Sequence, residues 1–478
     1  MLGFKSAFLL QYLVKVSIRA VALAREERKS EIMSYRAPTG TADLLQDAAS
    51  TWLAVQAHAA RVFGVYSYHP IETPTFEQLD VFVRGIGQAT DVVGKEMFFV
   101  LSQQQLDALS VGEVPETKDI LALRPEGTAG VARAVVQHNM VPPGSTALKL
   151  YYAGSMFRYE RPQKGRLREF HQIGAEYIGA AEATADAEVI EMLMSFCGAL
   201  GIPSEIITLK INSMGDEHCR PAYRELIHKF INEHDGLCPD CRRRAETNPL
   251  RIFDCKNESC QQILADAPRI TDALCADCAE HYATVKHLLD ASNIAYVEDH
   301  RLVRGLDYYT RTVFEVQATT GLGSQNAIGG GGRYDKLIEE YDGAPTAGLG
   351  FAVGFERVAL VLEELGVTLS TLTQPLVYVT AVDASCRDAA YLTASALRQS
   401  GIAAELDHQG RSLKSQFKAA DKSEASLVVV LGPDELAKGV ATIRVMDSGD
   451  EHEVSLDGLV ETIKELDVSW RSSWGGIT

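Results

Sequence analysis

The chain has 478 residues, too many for one hydrophobic core, so roughly two to four domains are expected. Its apolar content of 46% and charged content of 23% are typical of a soluble globular protein. A formal net charge of -18 argues against general nucleic-acid coating and a membrane-surface role. A specific nucleic-acid partner stays open, because such contacts depend on local charge. Nine cysteines do not indicate a disulfide scaffold in so long a chain, and a reducing compartment, the cytoplasm, fits better.

Residues 1–32 differ from the rest of the chain. The first 25 residues carry the basic side chains Lys5, Lys15, Arg19 and Arg25 and contain no acid. The apolar run in this segment is too short to span a bilayer. Two interpretations fit, a targeting peptide or an N-terminal extension outside the fold. We favour the extension, because recognisable structure begins only after Met33.

Residues 33–212 predict an α+β domain. Apolar residues at Trp52, Val55 and Ala59 recur at helical spacing and predict a helix that ends near Gly64. Strands are predicted at residues 97–101, 120–123 and 149–157, and a helix at 129–137. Because strands and helices do not alternate regularly, we expect an antiparallel sheet.

Residues 158–178, RYERPQKGRLREFHQIGAEYI, predict a β-hairpin with one polar face. At period two, the second strand places five residues on that face: Arg168, Phe170, Gln172, Gly174 and Glu176. Buried polar groups cost free energy unless they have partners, so this face suits a ligand better than a core. The alternative is an exposed hairpin with two polar sides.

Residues 213–300 predict a helical insertion, since Tyr223, Ile227 and Phe230 follow helical spacing. The insertion contains C-x2-C, C-x4-C and C-x2-C pairs, formed by Cys238, Cys241, Cys255, Cys260, Cys275 and Cys278. Paired cysteines of this kind are typical of a structural zinc site. The alternative, a set of small buried thiols, stays open.

Sheet-forming sequence resumes at residues 301–366, and a linker is predicted at 367–375. Residues 376–478 alternate strands with helices, which predicts a compact α/β domain with an at least partly parallel sheet. The second helix of this domain carries basic residues at helical spacing: Arg411, Lys414, Lys418 and Lys422. A solvated face and an RNA-facing stripe both fit this pattern.

Three further segments carry polar side chains that a core would not choose: LRPEGT (123–128), RGLDYYTRTVFE (304–315) and GLGFAVGFERVAL (348–360). Glycines let a backbone approach a ligand closely, and the start of a helix favours anions. Three separated arginines, Arg158, Arg304 and Arg357, suit a triphosphate. The chain has no GxxxxGK[ST] sequence, which excludes a Walker-type phosphate loop.

These segments together resemble the class II aminoacyl-tRNA synthetases, and among them the histidyl-tRNA synthetase family. The chain resembles the three class II motifs, in order, at residues 66–77, 157–176 and 348–360. Residues 304–315 and GGGGRYDKL at 329–337 resemble the two signatures of the histidine enzyme. The resemblance extends from Arg36 to the end of the chain.

The resemblance implies a class II α+β catalytic domain built on an antiparallel sheet, with a helical insertion and a C-terminal α/β anticodon-binding domain. The implied reaction ligates L-histidine to its tRNA through a histidyl-adenylate, with ATP as substrate and AMP and pyrophosphate as products. Mg²⁺ is expected between the phosphates. The first motif, which helps to form the dimer interface in the family, implies a homodimer, and no membrane association is expected.

The resemblance also assigns residues to roles. The implied histidine site comprises Glu126, Gly127, Thr128, Arg158, Gln172, Glu176, Arg304, Tyr308 and Tyr309. The implied ATP site comprises Arg158, Glu160, Arg166, Phe170 and Arg357. Arg158 and Arg304 are the implied catalytic residues, which stabilise charge at the α-phosphate and on departing pyrophosphate. Arg161 and Gln163 are the implied contacts to the tRNA acceptor end.

Two other interpretations fit part of the pattern. One is a synthetase-like protein without ligase activity, such as the paralogue that regulates the first enzyme of histidine biosynthesis. The intact 304–315 segment and the terminal α/β domain argue against it. The other is a class II enzyme for another small amino acid, against which Tyr308, Tyr309 and Glu176 argue.

Overall fold

The structure is a computed structural model that describes residues 35–87, 90–142, 147–247, 249–323, 326–369 and 377–473. The chain forms two compact units, Met1–Ser370 and Thr371–Thr478. The predicted extension 1–32 lies outside the described residues, as does most of the predicted linker 367–375. Within the described ranges, no helix is long and apolar enough to cross a membrane.

The first unit combines eleven strands with twelve α-helices among its described residues. The strands are β1 His69–Pro70, β2 Phe76–Gln78, β3 Phe99–Val100, β4 Leu121–Leu123, β5 Leu148–Phe157, β6 Glu169–Ile178, β7 Ile207–Ser213, β8 Val297–Glu298, β9 Thr310–Ala318, β10 Ala327–Arg333 and β11 Gly348–Gly354. The helices are α1 Gln46–Val65, α2 Leu79–Ile86, α3 Asp91–Lys95, α4 Gln103–Ser110, α5 Thr128–Gln137, α6 Ala183–Ala199, α7 Arg220–Glu233, α8 Pro239–Thr247, α9 Glu258–Leu264, α10 Ala276–Ala291, α11 Leu337–Glu340 and α12 Phe355–Leu365.

Eight of these strands form one large sheet in the order β1-β5-β6-β11-β10-β9-β7-β8. The six central strands pair antiparallel, while the short β1 and β8 add parallel edges. The predicted hairpin is the pair β5 and β6, in register from Leu148 opposite Ile178 to Phe157 opposite Glu169. Gly165 in its connection has a positive φ of 71°, a conformation that glycine adopts without strain. The antiparallel sheet predicted from the sequence is thus confirmed at its centre.

Alternate residues of the central strands face opposite sides of the sheet. Ile173 and Ala175 of β6 are buried in the main core, together with Phe351 of β11. Helices α1 and α6 cover this side, where Phe63 lies 5.2 Å from Phe196 between ring centroids. Because the period is two, the intervening residues of β6 face the other side of the sheet, as the sequence predicts. Arg168 precedes β6 and departs from the prediction, since its guanidinium lies 4.0 Å over the Tyr159 ring.

The segment predicted as an insertion has two parts. Helices α7 to α9 surround a separate core that includes Tyr223 and Ile227. The second half of α10, with Tyr282, Val285 and Leu289, instead joins the main core behind the large sheet. Strand β8 then pairs with β7 at the edge of that sheet. The chain therefore returns to the large sheet within the predicted insertion rather than after residue 300.

A buried ion network links α6 and α10 to β10. Arg333 forms a salt bridge with Asp186, and both side chains are 1% exposed. Nε2 of His281 lies 3.3 Å from the same carboxylate. Burial alone would raise the pKa of Asp186, but the hydrogen bond from His281 and the charge of Arg333 lower it below its usual value. The Asp186 carboxylate is therefore charged, and it joins Arg333 of β10 to His281 of α10.

The second unit is the predicted α/β domain, with a five-stranded sheet in the order β13-β12-β14-β15-β16. Its strands are β12 Val377–Ala381, β13 Ala404–Leu406, β14 Leu427–Leu431, β15 Val440–Val445 and β16 Glu451–Ser455. Its helices are α13 Arg387–Gln399, α14 Leu413–Lys422, α15 Pro433–Lys438 and α16 Leu459–Ser473. The first three strands are parallel, as predicted, whereas the antiparallel β15 and β16 were not predicted.

Helix α14 carries the predicted basic stripe. Lys414, Lys418 and Lys422 are exposed, while Gln416 and Ala420 of the opposite side are buried. Arg411 precedes the helix and pairs with Asp407. The exposure fits both a solvated face and an RNA-facing stripe, so the second interpretation stays a prediction.

Replacing Asp186 by Ala should destabilise the first unit by about 3 kcal/mol, because the buried Arg333 would lose its fully buried carboxylate partner and keep only the half-buried Asp335. The free energy of unfolding, measured in urea, checks this. Glu116→Ala is the matched control, since Glu116 pairs with Lys118 at the exposed surface and its loss should change little. Equal effects of the two substitutions would contradict the account of the buried network.

Candidate active site

A pocket opens on the side of the large sheet that α1 and α6 leave uncovered. Most of the residues predicted for the histidine and ATP sites line it: Glu126, Thr128, Arg158, Glu160, Arg166, Phe170, Gln172, Arg304, Tyr308, Tyr309 and Arg357. They come from the start of α5, β6, the hairpin loop before β6, the segment before β9 and the start of α12. The structure thus brings together side chains that are far apart in sequence.

Glu126 is fixed at the N-terminus of α5. Its carboxylate oxygens accept hydrogen bonds of 2.8 Å from the backbone N–H groups of Thr128 and Ala129. This arrangement caps the helix with a negative charge, where the helix dipole favours one. Burial raises the pKa of Glu126 despite these two backbone donors. The adjacent Gly127 faces the Tyr152 ring, which a Cβ atom would approach to 2.3 Å.

Glu176 lies beneath the pocket and is 1% exposed. One carboxylate oxygen accepts a 2.7 Å hydrogen bond from the Thr128 hydroxyl, and the other accepts a bond from the Tyr334 hydroxyl. Burial raises the pKa of Glu176 to about 8, although both hydroxyl donors act in the opposite direction. Gly350 on the neighbouring β11 makes room, because a Cβ atom there would lie 2.0 Å from the Glu176 carboxylate.

Arg304, Tyr308 and Tyr309 form the opposite wall of the pocket. The two tyrosine rings lie 4.6 Å apart between centroids. Arg304 donates a 2.8 Å hydrogen bond to Glu315 of β9, and its guanidinium lies 5.9 Å from the centre of the Tyr309 ring. Gly330 of β10 permits this position, since a Cβ atom there would meet Arg304 at 2.9 Å.

Arg158 and Phe170 lie together at the end of the hairpin. Arg158 donates a 2.9 Å hydrogen bond from Nε to the Pro125 carbonyl oxygen, which leaves both terminal nitrogens for a ligand. Its guanidinium lies 5.3 Å from the centre of the Phe170 ring. The pair offers a cation next to an aromatic surface, which suits a phosphate and a base.

The entrance to the pocket is cationic. Arg166 pairs with Glu160 at 2.6 Å. Arg357, in the first turn of α12, donates hydrogen bonds to the carbonyl oxygens of Gly165 (3.4 Å) and Ala327 (2.6 Å). Burial lowers the pKa of Arg357, as does the nearby charge of Arg166. Two close guanidinium groups with one carboxylate favour an anionic ligand.

Two buried polar atoms at this site have no hydrogen-bond partner among the described residues. They are Oε1 of Gln172 and Nε of Arg304. Buried polar atoms in folded proteins are nearly always paired, so atoms of this kind in a pocket indicate ligand contacts.

Other predicted residues lie outside the pocket. Arg161 and Gln163 are exposed on the hairpin loop, where backbone hydrogen bonds join Gln163 to Arg166. This exposure is compatible with a macromolecular partner, and their assignment to tRNA stays a prediction.

Sequence reasoning missed Tyr334 and Glu315 as site residues. Glu315 had a signal, because it alternates with the apolar Phe314 and Val316 along β9. Tyr334 lies in the 329–337 signature, but its contact could not be predicted, since its hydroxyl reaches a carboxylate 158 positions away in the sequence.

The six predicted metal-binding cysteines separate into two groups. Four thiols, those of Cys238, Cys241, Cys255 and Cys260, lie within 4.8 Å of one another. The remaining two, Cys275 and Cys278, lie instead with Cys219 and Asp216. The cysteine spacing in the sequence identified the three pairs, but it could not show which pairs lie together in the folded chain.

Comparisons with known proteins agree with this geometry. The family model for histidyl-tRNA synthetase matches residues 40–215 and 240–358, and that for the anticodon binding domain matches residues 376–466. The chain is 43% identical to the histidine--tRNA ligase of Geobacter metallireducens over 419 residues, or 87% of this chain and 96% of that protein. It is 44% identical to that of Desulforamulus reducens over 428 residues, or 89% and 98%. The apo histidyl-tRNA synthetase of S. aureus is similar in structure, with a TM-score of 0.73 and 34% identity, covering 90% of this chain and 100% of that one.

The antiparallel sheet, its arginine-lined pocket and the C-terminal α/β unit define a class II aminoacyl-tRNA synthetase. Within that class, the chain belongs to the histidyl-tRNA synthetase family. The predicted family, fold class and ligase class are therefore confirmed.

The raised pKa of Glu176 predicts a pH dependence of stability in the absence of ligand. With a pKa of about 8 in the folded chain against 4.5 in the unfolded one, the folded state binds more protons between these values. The free energy of unfolding should therefore fall as pH rises from about 5 to about 8. Glu176→Gln, which mimics the neutral carboxyl, should reduce this fall, as urea titrations at several pH values would show. The exposed Glu205→Gln should retain the wild-type slope, and an unchanged slope in Glu176→Gln would contradict the assignment.

Proposed function

We propose that this chain uses ATP to activate L-histidine as histidyl-adenylate and then transfers the histidyl group to the terminal ribose of its tRNA. Pyrophosphate leaves in the first step and AMP in the second. The supporting observation is that one pocket combines buried carboxyl, amide and phenol groups with several guanidinium groups. The first set complements an imidazole-bearing amino acid, and the second complements a triphosphate.

The histidine subsite is formed by the deep end of this pocket. Glu126, held at the start of α5, and Gln172, with its free Oε1, face the α-amino group in the proposed arrangement. Glu176 and Tyr309 pair the two ring nitrogens of the imidazole, and Tyr308 lines the same wall. Another amino acid would leave these buried groups without partners, which is a strong source of discrimination.

The ATP subsite is formed by the hairpin and the start of α12. Phe170 stacks on the adenine, and Glu160 accepts a hydrogen bond from its amino group after releasing Arg166. Arg166 and Arg357 then bind the distal phosphates, which the cationic entrance supports. Histidine thus lies deep and the phosphates lie towards the entrance.

Catalysis rests on positioning and on neutralisation of charge. The histidine carboxylate attacks the α-phosphorus, and the bond to pyrophosphate breaks. Arg158 and Arg304 lie on two walls of the pocket and stabilise the negative charge that develops between them. Glu315 lines the pocket beside Arg304 and is the carboxylate proposed to hold Mg²⁺, which would supply further positive charge to the triphosphate.

The macromolecular contacts lie outside the pocket. Arg161 and Gln163 are proposed to contact the acceptor end of the tRNA, and the second unit to bind the anticodon. A homodimer is proposed through residues 66–77, where β1 ends the large sheet and Phe76 is 51% exposed. The cytoplasmic location also stays a prediction.

The four-cysteine group of the insertion is proposed to bind a structural zinc ion. The thiols of Cys238 and Cys255 lie 3.8 Å apart, close to the roughly 3.8 Å between sulfurs in a tetrahedral site with Zn–S bonds of about 2.3 Å. Cys260 also accepts a hydrogen bond from the Cys238 backbone N–H, which stabilises a thiolate.

An ATP–pyrophosphate exchange assay with each amino acid tests the proposed reaction. Exchange should require histidine. Arg304→Ala should reduce its rate by about 100-fold or more, because one charge-stabilising group is lost. Glu176→Ala should abolish histidine-dependent exchange while circular dichroism shows a folded chain.

Arg161→Ala is the control for that assay. It should retain wild-type exchange but lose rate in transfer to tRNA, because its side chain lies outside the pocket. No exchange with any amino acid would favour the regulatory paralogue, and exchange with another amino acid would favour a different specificity. Wild-type exchange in Arg304→Ala or Glu176→Ala would refute the residue roles.

Replacing Cys238 and Cys241 together by Ala should remove one zinc ion per chain, since two of four ligands are lost. Elemental analysis of protein purified without a metal-affinity tag measures this. Cys197→Ala, which changes a core thiol remote from both cysteine groups, should keep the wild-type zinc content. Unchanged zinc in the double variant would contradict the site.

A further inference from the structure

A second group of potential metal ligands lies at the two ends of the helical segment α7 to α10, next to residues 309–311. Asp216 and Cys219 belong to the connection from β7 to α7, whereas Cys275 and Cys278 stand at the start of α10. Their four ligand atoms lie within 4.8 Å of one another. Cys219 and Cys278 are buried, and the other two are half-buried. Two segments more than fifty residues apart thus place three thiols and a carboxylate around one point.

The distances fit a single ion. The Cys219 and Cys275 sulfurs lie 3.6 Å apart, and the Cys219 sulfur lies 3.2 Å from Asp216 Oδ1. A tetrahedral site with Zn–S bonds of about 2.3 Å and Zn–O bonds of about 2.0 Å requires separations of about this size. A disulfide would need sulfurs at about 2.05 Å. An iron–sulfur cluster would hold its thiols farther apart, because they bind different iron atoms.

We propose that Asp216, Cys219, Cys275 and Cys278 bind a second zinc ion, distinct from the one at the four-cysteine group. The site is closed, since the protein supplies all four ligands and leaves no position for a substrate, so its role is structural. The backbone N–H of Asp216 faces the Cys219 sulfur at 3.5 Å and stabilises it as a thiolate.

This zinc site would fix the segment that carries the tyrosines of the pocket. Arg311 and the β7–α7 connection exchange backbone hydrogen bonds, from Arg311 N to the Gly215 carbonyl and from Met214 N to the Arg311 carbonyl. Arg220 donates a hydrogen bond to the carbonyl oxygen of Tyr309. Asp216 lies 3.7 Å from the Arg311 guanidinium. The β7–α7 connection, which supplies Asp216 and Cys219, is therefore hydrogen-bonded directly to residues 309–311.

The backbone conformation of Arg311 is strained, so residues 309–311 must be held in place by their neighbours. Arg311 has a φ of 48°, a conformation that costs free energy for any residue except glycine. Such a conformation persists only where the surrounding structure enforces it. The metal would do so by holding Gly215 and Asp216 in place beside Arg311.

Zinc counting in the full chain tests the proposal. Untagged wild-type protein should contain two zinc ions per chain, one for each ligand group. Cys219→Ala with Cys275→Ala should retain one, and Cys238→Ala with Cys241→Ala should also retain one. Cys386→Ala, which removes a thiol of the second unit, is the matched control and should retain both.

Hydrogen–deuterium exchange supplies a readout that does not depend on activity. Peptides covering residues 309–313 should take up deuterium faster in the Cys219/Cys275 variant than in the Cys238/Cys241 variant. If the Cys219/Cys275 variant does not fold, the zinc content can still be measured in the wild-type chain. Titration of its thiols with a mercurial should release two zinc ions. Zinc that is fully retained after loss of Cys219 and Cys275, or fully lost with Cys238 and Cys241, would overturn the proposal.

Discussion

The alternation of side chains along β6 is the constraint on which the site depends. Ile173 and Ala175 are held in the main core, so Gln172 and Glu176 must lie on the other side of the sheet, where Gln172 lines the pocket and Glu176 bonds to Thr128 beneath it. A shift of one residue in strand register would exchange these two sets and bury polar groups against apolar ones. The apolar half of the strand therefore positions the polar half. The burial of Ile173 and Ala175 that stabilises the sheet therefore also fixes the positions of the ligand-binding side chains.

Two glycines let the charged groups lie where the alternation directs them. Gly350 leaves space for the Glu176 carboxylate, and Gly330 leaves space for the Arg304 guanidinium. The buried carboxyl then pairs with Thr128 and Tyr334, while the guanidinium pairs with Glu315. Each of the two groups is thus held by partners of the protein before any ligand binds.

Much of this architecture could be predicted because its signals are local. The hairpin follows from period two and a turn sequence, and the parallel strands of the second unit follow from their alternation with helices. The remainder depends on packing between distant segments, which spacing does not encode. The bond between Tyr334 and Glu176, the association of Cys275 with Cys219 and the return of α10 to the main core are of this kind. Arg168 follows the period in sequence, but it precedes the strand and stacks on Tyr159 instead.

The proposed function requires the groups gathered on the uncovered side of the sheet to bind histidine and ATP next to each other. A crystal structure with a non-hydrolysable histidyl-adenylate analogue tests this most directly. The imidazole should lie against Glu176 and Tyr309, the phosphate substitute between Arg158 and Arg304, and the adenine on Phe170. An analogue bound elsewhere, or with its imidazole directed away from Glu176, would contradict the account.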